Sequence, residues 1–214
     1  MIRMPHYQFP TSYVYWENIK EHDYLKAKYM PIIDEIEKRN DVSLKNPFEF
    51  CDVSSISFGK NIDFLSSDDK HKIVWGPLDN FIKEINSKYQ QKIEVKKSII
   101  HAYWFSTYQS GDFQEFHDHT GHRELMNDEY YCPMFSGIYI LNDDNESSSI
   151  MFKTPGSIPI PFSVKTNSHN FYTNKESDIK EGSVLIFPCQ LEHMVKKCIK
   201  PGRRTIAFNV YSQL

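Results

Sequence analysis

From about Ile93 onward the chain is written in short β-like runs: Ile99 to Tyr108, Phe113 to His119, Phe135 to Leu141, Ser149 to Lys153, Gly182 to Phe187 and Thr205 to Tyr211. Each run is rich in β-branched and aromatic residues and is closed by polar turns. No long helical pattern separates them, so the strands must cover one another as a β-sandwich or barrel of the jelly-roll kind. Two connections, Thr120 to Pro133 and Pro155 to Lys180, are long for a compact domain and have the character of lids or binding loops.

The stretch before these strands has a different texture. Between Glu21 and Arg39, Leu25, Tyr29, Ile32, Ile33 and Ile36 recur at helical spacing, and Pro31 should interrupt or restart that helix. Asp52 to Phe58 reads as a short strand, and Ser66 to Asp69 as polar loop and capping residues. A second helix is expected from Pro77 to Tyr89, with the proline at its first position and Leu78, Phe81, Ile82, Ile85 and Tyr89 on one face. Both apolar stripes read as core packing. Residues 1–97 are thus expected to buttress, within the same domain, a β core spanning residues 98–214.

A chain of 214 residues with 15 Phe, 13 Tyr and only 8 Gly has the makings of one full core and no low-complexity part. Its net charge of −3 counts against non-specific nucleic-acid binding, while leaving room for a local basic groove. Cys51, Cys132, Cys189 and Cys198 form no C-x-x-C pair and no disulfide framework, so a reducing cytoplasm is the expected compartment. The opening residues lack an apolar run of signal-peptide length. No stretch of about 18 apolar residues offers a membrane span, so a soluble protein that is not exported is expected.

Alternation along Phe113 to His119 puts His117 and His119 on one face and Asp118 on the other. Two imidazoles on one face suit a metal, and a third ligand from a distant strand would complete a facial set with open positions. His193 follows the Pro188-terminated strand and is placed to point into a barrel mouth. His6, His22, His71, His101 and His169 read as ordinary surface or hydrogen-bonded residues. Further on, Arg203, Thr205, Ala207 and Asn209 share a strand face, with Arg204 on the other. The planar fork of Arg203 suits a carboxylate. A pair of surface arginines serving solubility is the plainer reading of the same dipeptide.

Taken in order, Trp104, Gly111-Asp112-Phe113, His117-x-His119, Ser136-Gly137-Ile138-Tyr139, Gly182 to Pro188, His193 and Arg203-x-Thr205-Ile206-Ala207-Phe208-Asn209-Val210 resemble the 2-oxoglutarate- and Fe(II)-dependent oxygenases. More narrowly, they are similar to the small prolyl-hydroxylase-like branch common in phages and marine bacteria. The Lys, Asn, Ile and Tyr richness is likewise phage-like, and would make the compartment the host cytoplasm. The resemblance covers residues 98–214 and implies a mainly β fold: a cupin-like double-stranded β-helix with the N-terminal α-helices packed against it.

It further implies a dioxygenase that hydroxylates its substrate, with His117, His119 and His193 as iron ligands. Arg203 would bind the distal carboxylate of 2-oxoglutarate with Thr205 as its hydroxyl companion, and Tyr139 and Tyr103 or Tyr108 would line the cosubstrate pocket. Dioxygen is consumed and ascorbate supports activity in such enzymes. A prolyl-type peptide or protein is the implied substrate, with small molecules open. Most of the superfamily carries a carboxylate where His119 stands. His122-Arg123-Glu124 reads His-x-Glu, so a rival set of His122, Glu124 and His193 exists, although the spacing from Trp104 favours His117 and His119. A cupin-like divalent-metal protein, or a three-histidine dioxygenase that ignores 2-oxoglutarate, is the competing class.

Overall fold

The computed structural model describes residues 13–39, 51–57, 62–89, 97–143, 149–153, 171–173 and 178–213. Two antiparallel sheets make up most of it. In chain order the elements are β1 (Tyr15–Asn18), α1 (His22–Lys38), β2 (Cys51–Asp52), β3 (Ser55–Ile56), α2 (Ser67–Lys70), a π turn (His71–Trp75) and α3 (Gly76–Tyr89). There follow β4 (Ser98–Tyr108), β5 (Phe113–His117), β6 (Glu124–Met126), β7 (Glu129–Asn142), β8 (Ile150–Phe152), β9 (Phe171–Tyr172), β10 (Ser183–Pro188), β11 (His193–Val195) and β12 (Arg203–Gln213).

The larger sheet runs β1-β10-β7-β12-β4-β3 with β6 added beside β7, and the smaller runs β2-β5-β11-β8-β9. Strand alternation divides the core in two. On one side of the larger sheet Phe105, Tyr139, Leu141, Ile186, Ile206 and Phe208 pack against Leu25, Tyr29 and Ile33 of α1 and Leu78, Phe81 and Ile85 of α3. On the other side Trp104, Ile138, Ile140, Phe187 and Ala207 meet Ile150, Phe152 and Val195 of the smaller sheet. Each fully buried large aliphatic or aromatic side chain contributes about 2 kcal/mol, so both faces of this sheet are stabilised by burial. The result is three layers: helices, large sheet, small sheet.

Helix α1 runs unbroken through Pro31. Pro31 lies on the exposed face, as does Ala27, whose carbonyl loses its partner to the proline, so water can satisfy that group while the buried stripe stays in register. The second helical segment begins at Ser67, ten residues ahead of the expected start. Pro77 sits inside it, directly after the π turn in which the Gly76 N–H bonds to the His71 carbonyl. The widened turn accommodates a residue that has no N–H to donate.

Ser66 caps the segment. Its hydroxyl accepts from the Asp69 N–H at 3.3 Å and donates to the Asp69 carboxylate at 2.6 Å. Asp69 is 1 % exposed and also receives Tyr29 Oη at 2.6 Å, Lys28 Nζ at 2.5 Å and Lys72 Nζ at 3.1 Å. Burial opposes ionisation there, yet these donors hold its carboxyl well below the usual range.

The expected strand at Asp52 to Phe58 is split into β2 and β3, which pair with different sheets. Thr120 to Pro133, expected as an open loop, contains the β6–β7 hairpin. Its turn residues Asn127 and Asp128 take positive φ of 51° and 62°, conformations Asn and Asp tolerate. Pro155 to Lys180 lies largely outside the described residues. Among the described residues no helix is long and apolar enough to cross a membrane.

Candidate metal centre

The ordering of the two sheets brings the histidines together. His117 ends β5 and His193 opens β11, and the two are direct cross-strand partners in the smaller sheet, with ring centroids 4.4 Å apart. His119 lies two residues beyond β5, fastened by its own N–H to the Cys189 carbonyl at 2.8 Å, so alternation still turns its ring to the His117 side. Its ring centroid is 5.3 Å from His117 and 5.0 Å from His193. One ligand nitrogen from each of the three lies within 4.8 Å of the others.

The second nitrogen of every ring is already engaged. His117 Nδ1 donates to the Glu115 carbonyl at 2.8 Å, and His193 Nδ1 to the Leu191 carbonyl at 3.0 Å. His119 Nδ1 meets Asn209 Oδ1 at 2.8 Å and Ser136 Oγ at 2.9 Å. A proton on Nδ1 leaves the lone pair on Nε2, the form a metal ligand needs. Burial reinforces the neutral state. It lowers the pKa of His117, brings His119 to about 4 with the neighbouring His117 charge adding to the effect, and pushes His193 well below its ordinary value. A donor set of three neutral imidazoles fits a divalent transition metal such as iron, zinc or copper.

The pocket holding them has a volume of about 380 Å³ counted out to its open mouth. The smaller sheet contributes Gln114, Ile150 and Val195 beside the histidines. From the larger sheet come Trp104, Ser106 and Tyr108 of β4, Ile138 of β7 and Arg203, Thr205 and Ala207 of β12. Arg203 is 2 % exposed, donates from Nη1 to Asp143 Oδ2 at 2.8 Å, and lies with its guanidinium 5.8 Å from the Tyr108 ring centroid. Arg204 turns to the opposite side and reaches Asp34 at 2.6 Å and Glu37 at 3.0 Å on α1. The arginine pair is therefore no solubility device.

The other residues singled out from the sequence fall elsewhere. Tyr139 and Tyr103 face the helices. The Tyr139 hydroxyl meets His22 Nδ1 at 2.7 Å, and the Tyr103 hydroxyl donates to Asp63. Of the three tyrosines only Tyr108 lines the pocket, because Trp104, Ser106 and Tyr108 alternate with Tyr103 and Phe105 along β4. His122 is exposed, and Glu124 lies 3.4 Å from His101 in the β6 hairpin, so this pair does not join His193. Asp112, which in the sequence is only one residue of Gly111-Asp112-Phe113, has a structural part of its own. Its carboxylate accepts from the Ser54 N–H and hydroxyl at 2.8 and 2.6 Å and from the Gln109 N–H at 2.7 Å, which fastens the entry to β5.

No protein-family model and no curated protein matches the sequence. Solved structures do match at the level of architecture. A Pseudomonas putida prolyl-4-hydroxylase superposes with a TM-score of 0.57 at 10 % identity, over 92 % of this chain and 91 % of that one. SnoK, a non-heme α-ketoglutarate-dependent carbocyclase from nogalamycin biosynthesis, gives 0.60 at 7 % identity over 93 % and 79 %. The chain shares their fold. A Trichoplax adhaerens prolyl hydroxylase, solved with a peptide fragment of the hypoxia inducible factor oxygen degradation domain, gives 0.51 at 9 % identity over 92 % and 82 %. These neighbours belong to the 2-oxoglutarate- and Fe(II)-dependent oxygenases.

Proposed function

We propose that this chain is an iron- and 2-oxoglutarate-dependent dioxygenase on a double-stranded β-helix, of the small phage and bacterial prolyl-hydroxylase-like branch, hydroxylating a prolyl-type peptide or protein. The observation that carries the reading is one pocket in which three imidazoles share an open centre while a buried guanidinium faces them from β12. His117, His119 and His193 are the residues to hold iron. Arg203 takes the distal carboxylate of 2-oxoglutarate, with Thr205 beside it. Iron bound there with 2-oxoglutarate and dioxygen would supply the oxidising chemistry, with ascorbate supporting activity.

The chain's own part is positional. The Nδ1 contacts hold the three rings with Nε2 inward, and Ile138, Ile150, Val195 and Ala207 give the pocket apolar walls that limit water. Three neutral imidazoles leave the charge of a divalent metal uncompensated, and a dianionic oxoacid balances it. We take residues 1–97 and 98–214 as one folding unit, since β1 and β3 extend the larger sheet. The unbridged thiols Cys132 and Cys189 suit the cytoplasm.

One observation favours the second reading, a metal protein that does not use 2-oxoglutarate: Asp143 already offsets the charge of Arg203. Succinate formation from 2-oxoglutarate with Fe(II), ascorbate and a proline-containing peptide separates the two. Succinate supports the oxygenase. Its absence, together with an iron spectrum that does not change when 2-oxoglutarate is added anaerobically, refutes it. His119→Ala should lose iron and Glu124→Ala should keep it; the reverse result reassigns the ligands.

A further inference from the structure

We infer that Asn209, held by Ser136, is the positioning residue that makes His119 a metal ligand. The inference rests on the three-histidine centre proposed above and concerns the one ring of the three whose orientation side chains decide. His117 and His193 present Nδ1 to backbone carbonyls, which can only accept a hydrogen bond, so their protons are fixed on Nδ1 by the main chain. His119 has no such carbonyl. Its Nδ1 faces Asn209 Oδ1 at 2.8 Å and Ser136 Oγ at 2.9 Å, and the Ser136 hydroxyl donates its proton to the same amide oxygen at 2.8 Å. Both side chains therefore present acceptor oxygens to Nδ1 only while the amide oxygen points inward.

Ser136 and Asn209 are cross-strand partners on β7 and β12, and Ser136 is fully buried. The amide oxygen thus accepts two hydrogen bonds, one from the imidazole N–H and one from the hydroxyl. An amide turned the other way would offer N–H groups to Nδ1 and force the proton onto Nε2, where it would face the metal. The orientation of one amide therefore decides whether the third ligand has its lone pair in the centre. Strand β12 serves the pocket twice, with the Arg203 guanidinium at one end of its inner face and the Asn209 acceptor farther along it.

The test is titration of the chelator-treated full chain with Co²⁺, whose visible absorption reports coordination. Asn209→Leu keeps the side-chain volume and removes the acceptor, and should weaken Co²⁺ binding roughly 10- to 100-fold and alter the visible spectrum. Asn209→Asp can only accept, cannot present the wrong face, and should bind Co²⁺ at least as tightly as the wild type. Ser136→Ala should fall between. An Asn209→Leu protein that keeps the wild-type urea midpoint, affinity and spectrum overturns the inference. So does an Asn209→Asp protein weakened more than about tenfold, a result that remains decisive if the leucine variant does not fold. Retention of Co²⁺ by His193→Ala refutes the metal centre itself and is thereby told apart from failure of the Asn209 role alone.

Discussion

Replacing Arg203 tests two properties at once, and the structure shows how to separate them. The Arg203–Asp143 pair is buried, with side chains 1 % and 6 % exposed, and joined at 2.8 Å. Removing one partner of such a pair typically costs about 3–5 kcal/mol, because the other charge loses its counterpart without regaining water. Arg203→Met alone should therefore destabilise the protein by about that much, and Asp143→Leu alone by a similar amount. Arg203→Met/Asp143→Leu should recover most of the loss, since a matched apolar pair leaves no charge behind. The assay is urea unfolding of the four proteins, read as a double-mutant cycle in which the double variant should lose far less than the sum of the two singles. Calorimetric titration of 2-oxoglutarate into the Mn²⁺-loaded proteins supplies the second axis. Every protein lacking Arg203 should lose oxoacid binding while keeping Mn²⁺, including the restabilised double variant. Tight 2-oxoglutarate binding by the double variant would refute Arg203 as the anchor, and singles within 1 kcal/mol of the wild type would refute the energetic reasoning.

Two further outcomes follow from the same geometry. In metal-free protein burial keeps His119 neutral down to about pH 4 against an ordinary 6.5, so below 6.5 the unfolded chain binds a proton that the folded chain refuses. Stability then falls as pH drops through the window between those values, with His119 alone contributing a loss of about 2 kcal/mol by about pH 5. Urea unfolding at about pH 7.5 and about pH 5 checks this, and an equal slope in His119→Gln would sink it. Gly137→Ala would place a Cβ 2.1 Å from the Phe208 ring, in a core position 1 % exposed, and should cost about 1–3 kcal/mol in thermal unfolding. Phe208→Leu should relieve part of that penalty.

Much of this fold is legible in the residues because strand alternation and helical spacing are local. The six β runs all appear as strands, and the faces of α1 and α3 that carry Leu25, Ile33, Phe81 and Ile85 are buried as expected. The helix start at Ser67 was hidden because Pro77 resembles a first helical residue, and nothing local announces the π turn that lets the helix pass through it. The β6–β7 hairpin was hidden behind the apparent polarity of its connection, although Asn127-Asp128 is a turn signal of the right chemistry. Gly137 likewise reads only as part of a motif until the ring of Phe208 is seen lying over it.

The candidate site divides along the same line. Sequence alone placed His117 with His119, and Arg203 with Thr205, Ala207 and Asn209, since neighbours two residues apart in a strand share a face whatever the fold. It had no means of saying which face becomes the pocket. That choice was made when the helices took one side of the larger sheet and the smaller sheet took the other. The outcome sent Tyr103 and Tyr139 to the helix core and Trp104, Tyr108 and Ile138 to the cavity. The same packing set His193 opposite His117 and delivered the Asn209 amide to His119. Relative facing is a property of the backbone period, whereas absolute facing and long-range partnership exist only once the layers have closed on each other.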